Sequence, residues 1–237
     1  MTENFIIQAL LLIVPLVFAI TLHETAHGYA ALALGDTTAR DQGRLSLNPL
    51  KHIDRMGTII LPGILLITQL LTIHRVLFMF GWAKPVPVSA WKFGNPRRGM
   101  AVVALAGPAM NFFLAWLTAL AGHAVPGFGD VVEGFTQEYA LSPAITVLLG
   151  FMTVNLVLGL FNLLPIPPLD GGRVVVGLLP EQLARSWAQL ERYGLMIVLL
   201  FILVLPYVFH INPINDAFEV ILPKAFHLVF FLAGYHE

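Results

Sequence analysis

His23-Glu24-Thr25-Ala26-His27 sets two imidazoles four residues apart with a carboxylate beside the first. On a helix, positions i and i+4 share a face, so both rings reach one ion, while Glu24 is rotated by about 100° toward a water carried by that ion. The matching ion is zinc, which takes imidazole nitrogens at about 2.0–2.1 Å. The H-E-x-x-H stretch follows an apolar run, residues 5–22, in which Gln8 and Thr21 are the only polar side chains. Ionisable groups in such a segment cost several kcal/mol unless paired or metal-bound, and so point to a functional site. The plainer reading is a pair of helix-end histidines facing water.

A hydrolytic zinc needs a third protein ligand and one open position. The chain has no cysteine, so that ligand must be a carboxylate or a histidine. FNLLPIPPLDGGR, residues 161–173, supplies Asp170 after three helix-breaking prolines and before Gly171 and Gly172, which are read as permitting unusual backbone. Unwound backbone at membrane depth is expected where it lines a polar site. Taken alone, the same stretch reads as a proline-glycine loop with a solvated Asp. His52, His74, His123, His210, His227 and His236 sit at segment ends, in loops or on the tail, and are weaker candidates. Asn111 and Asn162, inside apolar segments, are candidates for stabilising an oxyanion or positioning substrate, or else for hydrogen bonding between helices. Gly28 is read as allowing close packing.

The elements that must carry these groups are those of a membrane protein. Of 237 residues, 57% are apolar and 11% charged, with a mean hydropathy of +0.80, against about 25% charged residues in a soluble domain. Net charge is −1, so nothing suggests nucleic acid as a partner. Apolar segments run over 5–34, 57–80, 100–124, 142–165 and 193–210, with a less pure sixth at 216–235 that is interrupted by Pro223 and either lies in the interface or spans. Helices are the default, because lipid cannot satisfy the backbone of an open strand. The N-terminus has no Lys or Arg before Arg40 and is read as a retained first helix rather than a cleaved signal.

Lys and Arg cluster in 35–56, 81–99 and 166–192 and are absent from 125–141, which carries Asp130, Glu133 and Glu138. The positive-inside bias makes the first three cytoplasmic and the last external, with the N-terminus outside. Stretches 35–56 and 81–99 flank one apolar segment yet claim the same side, so 57–80 is expected to enter the membrane and return, whereas its length alone suits an ordinary spanning helix. Ligand parity demands the same. His23, His27 and Asp170 cannot share an ion unless the first segment and 142–165 end on one face of a bilayer about 30 Å thick. FGWAKPVPV, 80–88, with Pro85 and Pro87, is expected to be extended, either as an edge strand at the membrane surface or as a stiff linker.

H-E-x-x-H in an apolar helix, together with Asn162, Pro165, Leu169, Asp170 and Gly171 and with Gly107, Pro108 and Asn111 of AGPAMN, resembles the site-2 protease family of intramembrane zinc metalloproteases. The resemblance covers about residues 5–173. It implies a three-helix catalytic core in an all-α polytopic bundle, one zinc held by His23, His27 and Asp170, and Glu24 as general base. It implies a transmembrane protein as substrate, often cut to release a membrane-tethered factor. The chain is expected to be a single domain over 1–237, with core 5–173 and C-terminal helices over 193–235, resembling a compact bacterial branch without PDZ or CBS modules. It is expected in the cell membrane with its active site toward the cytoplasm. Two rival readings use the same residues: a metal transporter or sensor with a transit site, and a scaffold with a structural zinc. The first leaves the glutamate inside the histidine pair unexplained, and the second lacks a fourth ligand.

Overall fold

The computed structural model describes residues 2–74, 80–132 and 142–235. Among these residues the chain is helical without strands. The labelled helices are α1 Thr2–Ala33, α2 Leu61–Ile73, α3 Pro96–Gly122, α4 Pro143–Leu163, α5 Asp170–Leu178, α6 Glu181–Gln189, α7 over 194–209 and α8 Pro213–Leu232. At about 1.5 Å per residue, α1 is about 48 Å long, more than a bilayer core requires. Among the described residues, four helical stretches are long and apolar enough to cross a membrane: Arg55–Thr72, Pro96–Gly122, Pro143–Leu163 and Glu181–Phe209. The protein is therefore a multi-pass membrane protein.

The two best-defined starts are set by capping. Asn95 accepts the Arg98 N–H with Pro96 in the first turn of α3, and Ser142 accepts the Ile145 N–H with Pro143 in the first turn of α4. Helix α3 is the hub and packs against α1, α4 and α5. Its buried positions include Gly107, Asn111, Ala115 and Ala119, a ridge of mostly small residues four apart. Without a hydrophobic force between helices in lipid, such residues let backbones approach closely.

Segment 57–80 returns to its starting point. It opens with a π-helical turn, Arg55–Ile60, capped by Asp54, and continues as α2. On the return, Trp82 donates its N–H to the Gly57 carbonyl at 3.2 Å, and Thr58 Oγ1 donates to the Trp82 carbonyl at 2.9 Å. The two flanks of the segment therefore lie together, as charge distribution and ligand parity led one to expect, while residues 75–79 fall outside the described residues. Residues 80–89 follow without helix or strand, and Pro85 and Pro87, which lack N–H donors, favour extended backbone there.

Two expectations need correction. Residues 166–192 are mostly helical, and Gly171 and Gly172 serve proximity rather than unusual backbone. Both lie within α5, where a Cβ on Gly171 would strike the carbonyls of Leu163 and Leu164. A Cβ on Gly172 would come to 2.8 Å from Pro167 N. Pro223 also does not interrupt the tail, because α8 is continuous through it. A proline removes one intrahelical bond, which neighbouring helices make tolerable in a membrane bundle. Helix α8 starts beside Val157 and Phe161 of α4. Its far end docks on the end of α3: Trp116 Nε1 donates to the Leu232 carbonyl at 3.1 Å and Tyr235 Oη to the Ala119 carbonyl at 3.1 Å. It thus runs the height of the bundle instead of lying along the interface. Glu133, Glu138 and His236 fall outside the described residues.

Just past α1, Asp36 is fully buried and joins the helix end to the extended segment. It accepts N–H bonds from Thr38 at 2.9 Å and Ser89 at 2.6 Å and pairs with Lys92 Nζ at 3.1 Å. Burial would raise its pKa, but the Thr38 hydroxyl, the Ser89 and Thr38 amides and Lys92 together lower it from 3.8 to about 2. The charged form is the stabilising one, so its contribution is present above pH 4 and lost as pH falls toward 2. The gap is worth about 2 kcal/mol. Thermal unfolding in detergent should show this acid limb in the wild type and a flatter one in Asp36→Asn, and equal limbs would contradict it.

Candidate metal centre

Helix α1 presents His23 and His27 on the face that meets α3, and α5 begins with Asp170 directly below the end of α4. The three are each less than a tenth exposed. His23 Nε2 and His27 Nε2 lie 3.0 Å apart, and Asp170 Oδ2 is 3.1 Å from the first and 3.3 Å from the second. Asp170 Oδ2 is buried and receives no hydrogen bond.

Hydrogen-bond logic determines which ring nitrogens carry protons. His27 Nδ1 lies 2.7 Å from the Val103 carbonyl oxygen, which can only accept, so Nδ1 is the donor. For His23 the chain of reasoning is longer. Asn155 Nδ2 donates to the Phe151 carbonyl at 2.9 Å, which leaves its Oδ1 to accept from Asn111 Nδ2 at 3.0 Å. Asn111 Oδ1 therefore faces His23 Nδ1 at 2.6 Å, and His23 too is protonated on Nδ1. Both Nε2 atoms are then bare lone pairs, aimed at each other and at a carboxylate oxygen. Three such acceptors repel one another unless positive charge sits among them. A tetrahedral ion with ligands at about 2.0–2.1 Å spaces them by about 3.3 Å, close to the observed triangle. Among the described residues the ligand group has these three members, which fits zinc with one position open.

Gly107 makes the centre possible. A Cβ there would fall 2.5 Å from His23 Cε1 and Nε2 and 2.5 Å from His27 Cε1, so the absent side chain is the space the rings occupy. Glu24 stands outside the triangle and lines the adjoining cavity. Its Oε2 accepts the Val86 N–H from the extended segment at 3.1 Å. The cavity, about 550 Å³, is lined by His23, Glu24 and Asp170 together with Trp82, Val86 and Asn162.

The two asparagines separate. Asn162 borders the cavity, with Nδ2 donating to the Leu158 carbonyl at 2.9 Å. Asn111 is fully buried between α1, α3 and α4, with its oxygen on His23 and its nitrogen on Asn155. It holds His23 from behind and turns no group to the cavity, so it is corrected from a substrate-facing candidate to an orienting one. Asn155 completes that relay and was not singled out in the sequence, although a polar residue seven positions before Asn162 in an apolar helix was the available signal. Orienting partners of ligating histidines typically matter 10–100-fold. Asn111→Ala should therefore weaken zinc binding by about that factor in chelator competition, with helix content retained, and unchanged affinity would contradict the relay.

Other histidines have structural partners. His52 Nε2 donates to the Ser46 carbonyl at 2.8 Å, and His123 stacks on Tyr235 and donates to the Ala233 carbonyl at 2.8 Å.

The sequence pattern of peptidase family M50 matches residues 128–205, a stretch that includes Asp170. YwhC of Bacillus subtilis, by its name a candidate zinc metalloprotease, is 36% identical over 193 residues, covering 79% of this chain and 78% of its own length. Rip2 of Mycolicibacterium smegmatis, named in the same way, is 29% identical over 194 residues, covering 82% of this chain and 67% of its own. Rip3 of Mycobacterium tuberculosis is 38% identical over 109 residues, 43% of this chain and 26% of its own. No solved structure matches the chain. The similarity favours an enzyme over a transporter or a structural zinc.

Proposed function

The chain belongs to peptidase family M50, the site-2 protease family, and on that footing we propose that this zinc metalloprotease cuts peptide bonds within or near membrane-spanning segments of protein substrates. The observation that carries the reading is the triangle of His23, His27 and Asp170, buried at one end of the helix bundle and opening on a cavity that Glu24 lines.

His23 Nε2, His27 Nε2 and Asp170 Oδ2 would hold the zinc, and Asn111 and Val103 fix the two rings in the tautomer that leaves Nε2 free. A zinc ion held there would supply Lewis acidity and make water a better nucleophile. Glu24 accepts a proton from the attacking water as its oxygen adds to the scissile carbonyl carbon. The C–N bond then breaks, and Glu24 returns the proton to the departing amine nitrogen. Asn162, beside the cavity, positions substrate or stabilises the oxyanion. A helical substrate has its carbonyls engaged, so it must unwind locally before attack. Residues of segment 80–88 line the cavity that the unwound chain would enter. The clustering of Lys and Arg in 35–56, 81–99 and 166–192 supports a cytoplasmic location for this end of the bundle, with the N-terminus outside.

The test is cleavage of a transmembrane reporter by purified protein in detergent. Cuts in or next to the apolar segment, lost on chelation and restored by zinc, are expected. Metal-independent cleavage, or cleavage confined to water-soluble loops, would overturn the reading.

A further inference from the structure

The geometry points to the main-chain N–H of Val86 as the group that orients the general base, which makes the extended segment part of the positioning machinery as well as a wall of the cavity. The inference rests on the protease reading above, and three observations carry it.

The first is the contact itself. Val86 N–H donates to Glu24 Oε2 at 3.1 Å across 62 residues of sequence, and Val86 is buried. One oxygen of the carboxylate is held, which leaves Oε1 to face a water. A glutamate with three free torsions gains a defined direction from such a bond, and about 1 Å of misplacement at a reacting centre can cost about 100-fold in rate.

The second is that the chain makes room for this approach. Gly28 lies one helical turn beyond Glu24 on the same face of α1. A Cβ there would collide with the Leu45 side chain and reach 3.0 Å from Val86 Cγ1. The bare turn at Gly28 thus seats the Val86 side chain while its amide meets Glu24. The small residue after the H-E-x-x-H pattern thereby acquires a specific purpose.

The third is that Val86 is fixed from both directions. Upstream, Trp82 N–H is bonded to the Gly57 carbonyl at 3.2 Å and Lys84 N–H to the His52 carbonyl at 2.8 Å. Arg44 Nη2 donates to the Lys84 carbonyl at 2.9 Å and the Pro85 carbonyl at 3.2 Å. Downstream, Ser89 N–H is held by buried Asp36 at 2.6 Å. The N–H groups of Trp82, Lys84 and Val86, on alternate residues, all point into the protein, as extended backbone dictates. Pro85 and Pro87 between them have no N–H to satisfy on the opposite edge. The Val86 donor is therefore set by its flanks rather than by Glu24, which is what a positioning group requires.

Two substitutions separate the amide from the side chain. Val86→Pro removes the N–H and suits extended backbone between two prolines, while Val86→Ala keeps the N–H and trims the side chain. With a transmembrane reporter, Val86→Pro should lower kcat by about 10- to 100-fold more than Val86→Ala, with KM within about threefold and one zinc per chain in both. Equal kcat values, or a loss confined to KM, would overturn the inference. A second measurement needs neither variant nor turnover. Hydrogen exchange at the Val86 amide should quicken by about tenfold in Glu24→Ala relative to wild type, with the Lys84 and Ser89 amides unchanged. Unaltered exchange at Val86 would overturn the inference even if Val86→Pro fails to fold. If wild-type protein cleaves no reporter, the protease reading fails, while the exchange result still decides whether Val86 holds Glu24.

Discussion

Glu24→Gln should bind one zinc per chain and cleave a transmembrane reporter at no more than about one hundredth to one ten-thousandth of the wild-type rate. Gln matches Glu in shape, and its amide oxygen can still accept the Val86 N–H, so the extended segment stays in place. Because Glu24 is outside the ligand triangle, zinc affinity should change little. What is lost is the ability to take a proton and return it, a step typically worth about 3–5 kcal/mol of barrier. KM should be nearly unchanged, since the missing interaction belongs to the transition state. Metal analysis on the same sample that is assayed checks both halves. Substantial residual cleavage with zinc present would remove Glu24 from its assigned role, and loss of zinc would make it a ligand.

Gly107→Val should abolish zinc binding and, with it, activity. Even the first carbon of the new side chain arrives 2.5 Å from both imidazoles, where carbon contacts settle at about 3.5–4.0 Å. The rings cannot yield without breaking something else, because His23 is tied to Asn111 and His27 to the Val103 carbonyl, and both share one helix with its backbone fixed. A ring shift of about 1 Å is enough to leave the tolerance of a zinc site, which accepts about 0.2 Å. Gly63 provides the control, since a Cβ there meets nothing within 4 Å. Gly63→Ala should be neutral or mildly stabilising, as Ala is favoured over Gly in helices by about 1 kcal/mol. Zinc content of the purified variants decides the matter, and Gly107→Val retaining stoichiometric zinc would contradict the steric account.

Much of this architecture was legible because membrane insertion simplifies sequence patterns. Residues 100–124 and 142–165 correspond to α3 and α4 within a few positions, since apolar length is dictated by bilayer thickness. The meeting of Gly57 and Trp82 was foreshadowed by the Lys and Arg clusters on both flanks of 57–80. Other features left a weaker trace. Helices α5 and α6 lie in a stretch of mixed polarity rich in proline and glycine, where apolar length says nothing. The helix through Pro223 survives because its neighbours, not its own composition, compensate for a missing bond.

By itself the sequence determined the chemistry on offer. The four-residue spacing of His23 and His27 puts both on one helical face, the apolar surroundings demand a charge partner for them, and the absence of cysteine restricts the third ligand to a short set of which Asp170 was the best placed. Only the tertiary structure decided how these groups become a site. It placed Asp170 Oδ2 about 3 Å from two nitrogens more than 140 positions away in sequence, turned Asn111 from the cavity to the back of His23, and brought Val86 to Glu24. It also showed that Gly28 and Gly107 act through the volume they leave empty. The physical reason is one of range. Helical periodicity and hydropathy are local and survive in a one-dimensional reading, whereas hydrogen-bond partners and excluded volume are properties of pairs distant in sequence, and they exist only once the helices have packed.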